Sequence, residues 1–289
     1  MASNRVVPVA VEDVGRIGWP SARVDVWRVD LSAAETGLSN YAATLSEAER
    51  ARAARFRFAI DRTRCVVSRG SLRRLLGAYL GARADRIALQ DGLHGKPMLA
   101  DMARRPLRFN TAHSGDIVIH AVTAGGEVGI DIEQMRVQPF AESTLRGFLS
   151  AAEAARLRGM GPSLANREAY RLWTLKEAYL KARSCGLTVD PTDIDLGLAD
   201  APFGDFGARV VWRTEDDYPS QWSVWELATL PDYVTTLVRA GQPVPLCEWV
   251  MQPVSSAVKI KRRSGRVPVL TAPLAAVRPA DMTYSMTHL

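Results

Sequence analysis

The sequence is poor in cysteine and has no long apolar run, and each shortage removes a class of protein. Its three cysteines, Cys65, Cys185 and Cys247, are odd in number, scattered and without metal-ligand spacing. A disulfide scaffold and a cysteine-based metal site are both excluded, and reduced thiols in a cytoplasmic protein are expected. The longest apolar stretches are broken by Arg, Asp or Gly well short of a bilayer's thickness, so no membrane span is expected. Residues Met1 to Pro20 carry Arg5, Glu12, Asp13 and Arg16, so they lack a signal-peptide core. No Walker-type or Rossmann glycine motif is visible, and there is no internal repeat.

What is present is a chain of 289 residues, 47% hydrophobic and 24% charged, enough for one large domain or two modest ones. Net charge is +6, and it is unevenly spread. Nine arginines and a single acid, Asp61, lie between Arg50 and Arg74. Lys259, Lys261, Arg262, Arg263 and Arg266 form a second cluster near the end of the chain. Such a balance favours anionic partners: phosphates, acidic proteins or nucleic acid. Few aromatics interleave with the arginines, which counts against nucleic acid.

The periodicities predict an α+β protein. Residues 24–31 alternate like a strand. Ser46 and Glu49 make a capping box for a helix to about Phe56. A longer helix is expected from about Thr63 to Tyr79, with Val66, Leu72, Leu75, Leu76 and Tyr79 on one stripe. Strands are expected from Phe109, over 117–123 and over 128–133, with a turn at Gly125-Gly126. Helices are expected over 140–149, 151–158 and 165–183, ending near Gly186, then strands over 208–213, 222–227 and 233–240. From about residue 250 the composition turns to Ser, Pro, Arg and Ala, and a disordered tail is expected.

Two segments carry most of the chemistry. In Val128-Gly129-Ile130-Asp131-Ile132-Glu133 the period of a strand puts Asp131 and Glu133 on one face and the isoleucines on the other. Adjacent carboxylates repel, so they need a cation or an exposed strand end. In Trp173-Thr174-Leu175-Lys176-Glu177-Ala178-Tyr179-Leu180-Lys181 a helix would carry one acid and two lysines. Taken alone, the pairing of Glu177 with Lys181 is what an ordinary helix surface shows. Taken together, the segments offer three hard oxygen ligands and two cations, the equipment for a magnesium-bound diphosphate. Phe109-Asn110-Thr111-Ala112-His113-Ser114 adds a histidine able to meet phosphate, and Gly95-Lys96-Pro97 a stiff loop with one cation.

In this order, the four segments resemble the 4′-phosphopantetheinyl transferases, in particular the Sfp-like (surfactin-synthetase-activating) class. That family shows a Gly-Lys-Pro loop, a Phe-Asn-x-Ser-His-Ser segment, a Gly-Ile-Asp-x-Glu strand and a Trp-Ser-x-Lys-Glu-x-x-x-Lys helix. The resemblance spans about residues 24 to 245. It implies two similar α/β halves in a pseudo-twofold monomer, each a small antiparallel sheet on a long helix. The divisions are then 1–23, an N-terminal segment; 24–126, the first half; 127–249, the second half with the metal and catalytic residues; and 250–289, the tail.

The same resemblance implies the roles. Asp131, Glu133 and Glu177 match the magnesium ligands, with Mn²⁺ as a substitute ion. Lys176 and Lys181 match lysines near the coenzyme A diphosphate. His113 and Arg52 match groups that meet the 3′-phosphate. Arg64 and Gly95, Lys96 and Pro97 match contacts to the adenylate. Glu153 falls where the family places a proposed general base. The implied reaction moves 4′-phosphopantetheine from coenzyme A to a serine of an acyl or peptidyl carrier protein, acidic around that serine, with no membrane or nucleic acid involved. Fatty-acid, polyketide and nonribosomal peptide carriers all stay open. Ala112 departs from the family's serine, and Arg50 stands in for a lysine expected before Arg52. Two other readings stay open at this point: an inactive coenzyme A or carrier-protein binding module, and a nucleic-acid-binding protein using the basic clusters.

Overall fold

The alternating stretch at residues 24–30 becomes the middle strand of a five-stranded sheet. The computed structural model describes residues 7–11, 14–92, 95–101, 106–136, 140–184, 188–194, 209–212, 221–228 and 230–253. The elements of the first part are β1 (Val7–Val9), α1 (Val14–Ile17), β2 (Val24–Asp30), α2 (Leu31–Ala34), α3 (Leu38–Ala42), α4 (Glu47–Ala54) and α5 (Ala59–Leu80). There follow β3 (Leu89–Asp91), β4 (Pro97–Leu99), β5 (Arg108–Ser114), β6 (Ile117–Thr123), β7 (Val128–Gln134), α6 (Glu142–Arg146), α7 (Ala151–Arg158) and α8 (Pro162–Arg183). The last are β8 (Arg209–Trp212), β9 (Gln221–Leu227), β10 (Tyr233–Ala240) and β11 (Leu246–Met251).

The local signals explain most starts and stops. The side chains of Ser46 and Ser150 each accept from a backbone N–H three residues on, and Glu49 and Glu153 reach back to complete both capping boxes. Helix α8 opens on Pro162, whose missing N–H costs nothing at a helix start. It closes on Ser184 at φ 55°. Gly186, expected as the stop, lies outside the described residues, as do Cys185 and the chain from residue 254.

The sheets order as β1-β11-β2-β6-β5 and β7-β10-β9-β8. Four layers result. One face of the first sheet packs on α5 through Trp27, Val29, Phe109, Val118 and Val122 with Leu72, Leu75 and Leu76. Its other face meets the second sheet through Val24, Val26, Ile119 and Ala121 with Ile130, Ile132, Trp225 and Leu237. The far side of the second sheet carries α8 through Leu175, Tyr179 and Leu180. Burial of each such large side chain contributes about 1.5–3 kcal/mol. Each half therefore joins a sheet to one 22-residue helix.

Three expectations need correction. The first sheet is mixed, since β11 runs parallel to both β2 and β1. Residues 246–251 therefore return to the first half's sheet. Trp249 holds them there by stacking on Trp27 at 5.6 Å and donating to Asp25 Oδ1 at 3.2 Å. The helix expected over 140–149 is only α6, because Phe148 leaves it to pack on Trp173 and turn its carbonyl to Lys176.

Candidate active site at the seam between the sheets

Strands β5 and β7 are edge strands of their sheets, and they meet. The period of β5 divides its side chains into two sets. Asn110, Ala112 and Ser114 face the seam. The amide oxygen of Asn110 accepts from Ile130 N–H at 2.8 Å. Ser114 donates to Glu133 Oε2 at 2.8 Å and accepts from Gln134 N–H at 3.0 Å. Ala112 is buried among the apolar residues between the sheets. The hydroxyl it lacks relative to the family pattern would therefore point toward that core. Thr111 and His113 face the other way, into a groove against α5.

That groove is a cavity of about 280 Å³ lined by Arg52, Phe56, Asp61, Arg64, Cys65, Ser68, Arg69, Leu72, Pro97, Thr111 and His113. A smaller pocket continues it past Arg52, Cys65, Arg69 and Pro97 to Arg73 and Asp91. In the opposite direction Arg64 is shared with a larger cleft of about 530 Å³. Glu133, Ser114, Arg136, Phe140, Tyr170 and Trp173 line this cleft. Arg64 is fixed by Gly115 O at 3.1 Å and Asp61 Oδ1 at 3.2 Å. Partial desolvation beside the groove, then Lys181 and Arg64, hold the His113 ring below the usual histidine range.

The acidic site forms because α8 approaches β7 unusually closely. A Cβ on Gly129 would stand 2.0 Å from the carbonyl oxygen of Ala178 and 2.4 Å from the nitrogen of Ala182. Only glycine allows that contact. Gly129, Asp131 and Glu133 share one face of β7 under α8, while Ile130 and Ile132 join the core between the sheets. Asp131 is 5% exposed. Its Oδ1 accepts from Lys181 Nζ. Its Oδ2 is buried with no hydrogen-bond partner. Burial pushes its carboxyl up to about 7, Lys181 opposes that, and Glu133 and Glu177 add to it.

Among the described residues no three His, Cys, Asp or Glu side chains already stand close enough to hold a metal. The chemistry of the donors nevertheless fits a hard divalent cation. An orphaned buried carboxylate oxygen sits within the field of two further carboxylates, and a cation there would satisfy it.

Other expected residues take more structural positions. Lys176 is 2% exposed and donates to Glu153 Oε2 at 2.6 Å, Phe148 O at 2.7 Å and Pro191 O at 3.0 Å. Glu153, 4% exposed, also caps Ser150 N–H through the same Oε2. Lys96 reaches across to Val128 O at 3.0 Å and lies 3.7 Å from Glu127, while burial lowers it to about 8. Gly95, at φ 76°, makes the turn that leaves Pro97 as the groove wall. Arg50 donates to Leu45 O. Sequence reasoning did not single out Arg69, Arg136, Tyr170 or Thr111. Of these, Thr111 was readable from the alternation of its strand with His113.

Comparison with known proteins identifies the family. A family model described as the 4′-phosphopantetheinyl transferase superfamily matches residues 127–238. A second, described as 4′-phosphopantetheinyl transferase, N-terminal, matches residues 32–125. The chain is 39% identical to 4′-phosphopantetheinyl transferase HetI of Nostoc sp. over 168 residues, covering 58% of this chain and 71% of that protein. It is 32% identical to the L-aminoadipate-semialdehyde dehydrogenase-phosphopantetheinyl transferase of Eremothecium gossypii over 211 residues, covering 70% and 74%. With 4′-phosphopantetheinyl transferase psf-1 of Bacillus pumilus the identity is 31% over 140 residues, 48% of this chain and 58% of that protein, under two thirds of its length.

Proposed function

The chain belongs to the 4′-phosphopantetheinyl transferase superfamily, and from that premise we propose that it transfers 4′-phosphopantetheine from coenzyme A to a serine hydroxyl of an acyl or peptidyl carrier protein. The observation that carries the reading is the pairing of two sites at one seam. An arginine-lined groove suits a phosphorylated nucleotide, and the buried Asp131 with Lys181, in the field of Glu133 and Glu177, suits its diphosphate. The serine oxygen forms a bond to the pantetheine-side phosphorus. The bond from that phosphorus to the bridging oxygen breaks, and adenosine 3′,5′-bisphosphate leaves.

Phosphoryl transfer of this kind has a loose transition state, so alignment and charge neutralisation dominate. Arg52, Arg64 and His113 hold the nucleotide end, the 3′-phosphate included. Lys181 stands beside the diphosphate. Asp131, Glu133 and Glu177 would hold Mg²⁺, or Mn²⁺ in its place, and the ion would neutralise charge on the diphosphate oxygens. Lys176 acts through Glu153. Lys176 and Ser150 both bind Oε2, which leaves Oε1 of Glu153 to take the serine proton, directly or through one water. The carrier is acidic around its serine and is steered by the exposed arginines. The enzyme works as a monomer in the cytoplasm, consistent with free thiols at Cys65 and Cys247. No described helix is long and apolar enough to cross a membrane.

Removal of Asp131 tests the reading. Asp131→Ala should lower turnover by about two orders of magnitude or more, the scale of a principal electrostatic contribution. Wild-type turnover by Asp131→Ala would contradict the assignment.

A further inference from the structure

The groove wall carries a hydroxyl whose proton already points inward. Ser71 Oγ stands 2.6 Å from the carbonyl oxygen of Val67 and 2.9 Å from His120 Nε2. A carbonyl oxygen has no proton, so the Ser71 hydrogen lies on the bond to Val67. In the bond between Ser71 and His120 the ring nitrogen Nε2 must then be the donor. His120 is wholly buried, and burial lowers its pKa to about 3, so the ring is neutral and carries a single N–H. Its other nitrogen, Nδ1, is therefore an acceptor. Thr111 Oγ1 lies 2.9 Å from Nδ1 and must donate to it.

Thr111 thus presents only lone pairs to the groove. Arg52, Arg64 and Arg69, which line the same cavity, present only N–H donors. An oxyanion satisfies the arginines and is repelled at Thr111. A neutral hydrogen-bond donor satisfies Thr111.

We propose that Thr111 is a specificity residue that accepts a hydrogen bond from a neutral donor on the nucleoside part of the substrate, a ribose hydroxyl or the purine amino group, and that His120 is the positioning residue that fixes this polarity. The inference rests on the reading of the groove as the coenzyme A site. It goes beyond that reading in assigning Thr111 as an acceptor beside the arginines, in a cavity whose carboxylate, Asp61, is engaged by Arg64.

The test is calorimetric binding of coenzyme A, its 2′-deoxy analogue and its analogue lacking the purine amino group. Wild type, Thr111→Val and Thr111→Ser are compared. One analogue should bind wild type about tenfold more weakly than coenzyme A, the scale of one hydrogen bond. Which analogue does so identifies the donor. That difference should vanish in Thr111→Val and return in Thr111→Ser. His120→Asn should also lose the discrimination, which a merely structural role would leave in place. If both analogues bind wild type as coenzyme A does, the inference is overturned without need of any variant. It is overturned equally if the loss on the ligand and the loss in Thr111→Val simply add. Absence of any coenzyme A binding would instead overturn the functional reading, and this inference with it.

Discussion

Burial of Asp131 is tolerable because Lys181 stands against one oxygen, while the other oxygen stays unsatisfied in the field of Glu133 and Glu177. A buried carboxylate with one oxygen left unpaired is costly, and functional sites are where such costs concentrate. Lys176 shows the opposite case. Its ammonium is engaged by Glu153 and two carbonyls, so Lys176 serves as scaffold and holds Glu153 in place through Oε2. Lys176→Met would leave Glu153 buried and uncompensated. A loss of about 3–5 kcal/mol in unfolding free energy is expected by denaturant titration. The added change Glu153→Gln should restore part of it, and a wild-type midpoint for Lys176→Met would show that the pair is not buried in solution.

His120 gives the acid dependence. Its folded-state pKa, about 3, lies below the ordinary 6.5. Between those values the unfolded chain binds a proton that the folded protein refuses. The contribution of His120 to stability is therefore intact above about pH 6.5, falls by roughly a kcal/mol per unit as pH drops, and reaches its full loss near pH 3. The Asp131 carboxyl, pushed up to about 7, contributes in the opposite sense over the same range. The slope should therefore appear in the difference between wild type and His120→Asn when both are unfolded thermally from pH 7 to 4. An equal slope in both proteins would assign the acid sensitivity elsewhere.

At the scale of elements, the site depends on the closeness of α8 to β7. Gly129→Ala would drive a methyl group into the backbone of α8. Overpacking typically costs about 1–3 kcal/mol, and a backbone obstacle sits at the upper end. A drop of several degrees in Tm together with a loss of transfer activity is expected. A variant with wild-type Tm and activity would refute the close approach.

Legibility followed the range of each signal. Both capping boxes could be read because all their partners lie within three residues. The shared face of Asp131 and Glu133 followed from strand period alone, with Ile130 and Ile132 on the other side. Strand β11 could not be read so. Leu246-Cys247-Glu248-Trp249 shows no alternation, and its partners are β1 and β2 at the far end of the chain. The partnership of Lys176 with Glu153 joins α8 to the start of α7, and no local pattern announces it.

For the whole molecule, charge is the main property beyond the fold. Arg50, Arg52, Arg55, Arg57 and Arg62 are exposed, whereas Arg73 is buried against Glu49 at 2.6 Å. Exposed charges are screened over about 10 Å at 0.1 M salt. Affinity for an acidic carrier should therefore fall steeply as salt rises, mostly through the association rate. A salt-independent affinity would indicate apolar docking, for which the exposed Phe58 and Ile60 offer surface.

Whether the chain is a working transferase is decided by intact-mass spectrometry of apo carrier proteins incubated with this protein, coenzyme A and Mg²⁺. The expected result is the gain of one phosphopantetheine on a single serine, abolished by EDTA. Coenzyme A binding without mass gain on any fatty-acid, polyketide or nonribosomal peptide carrier would contradict it.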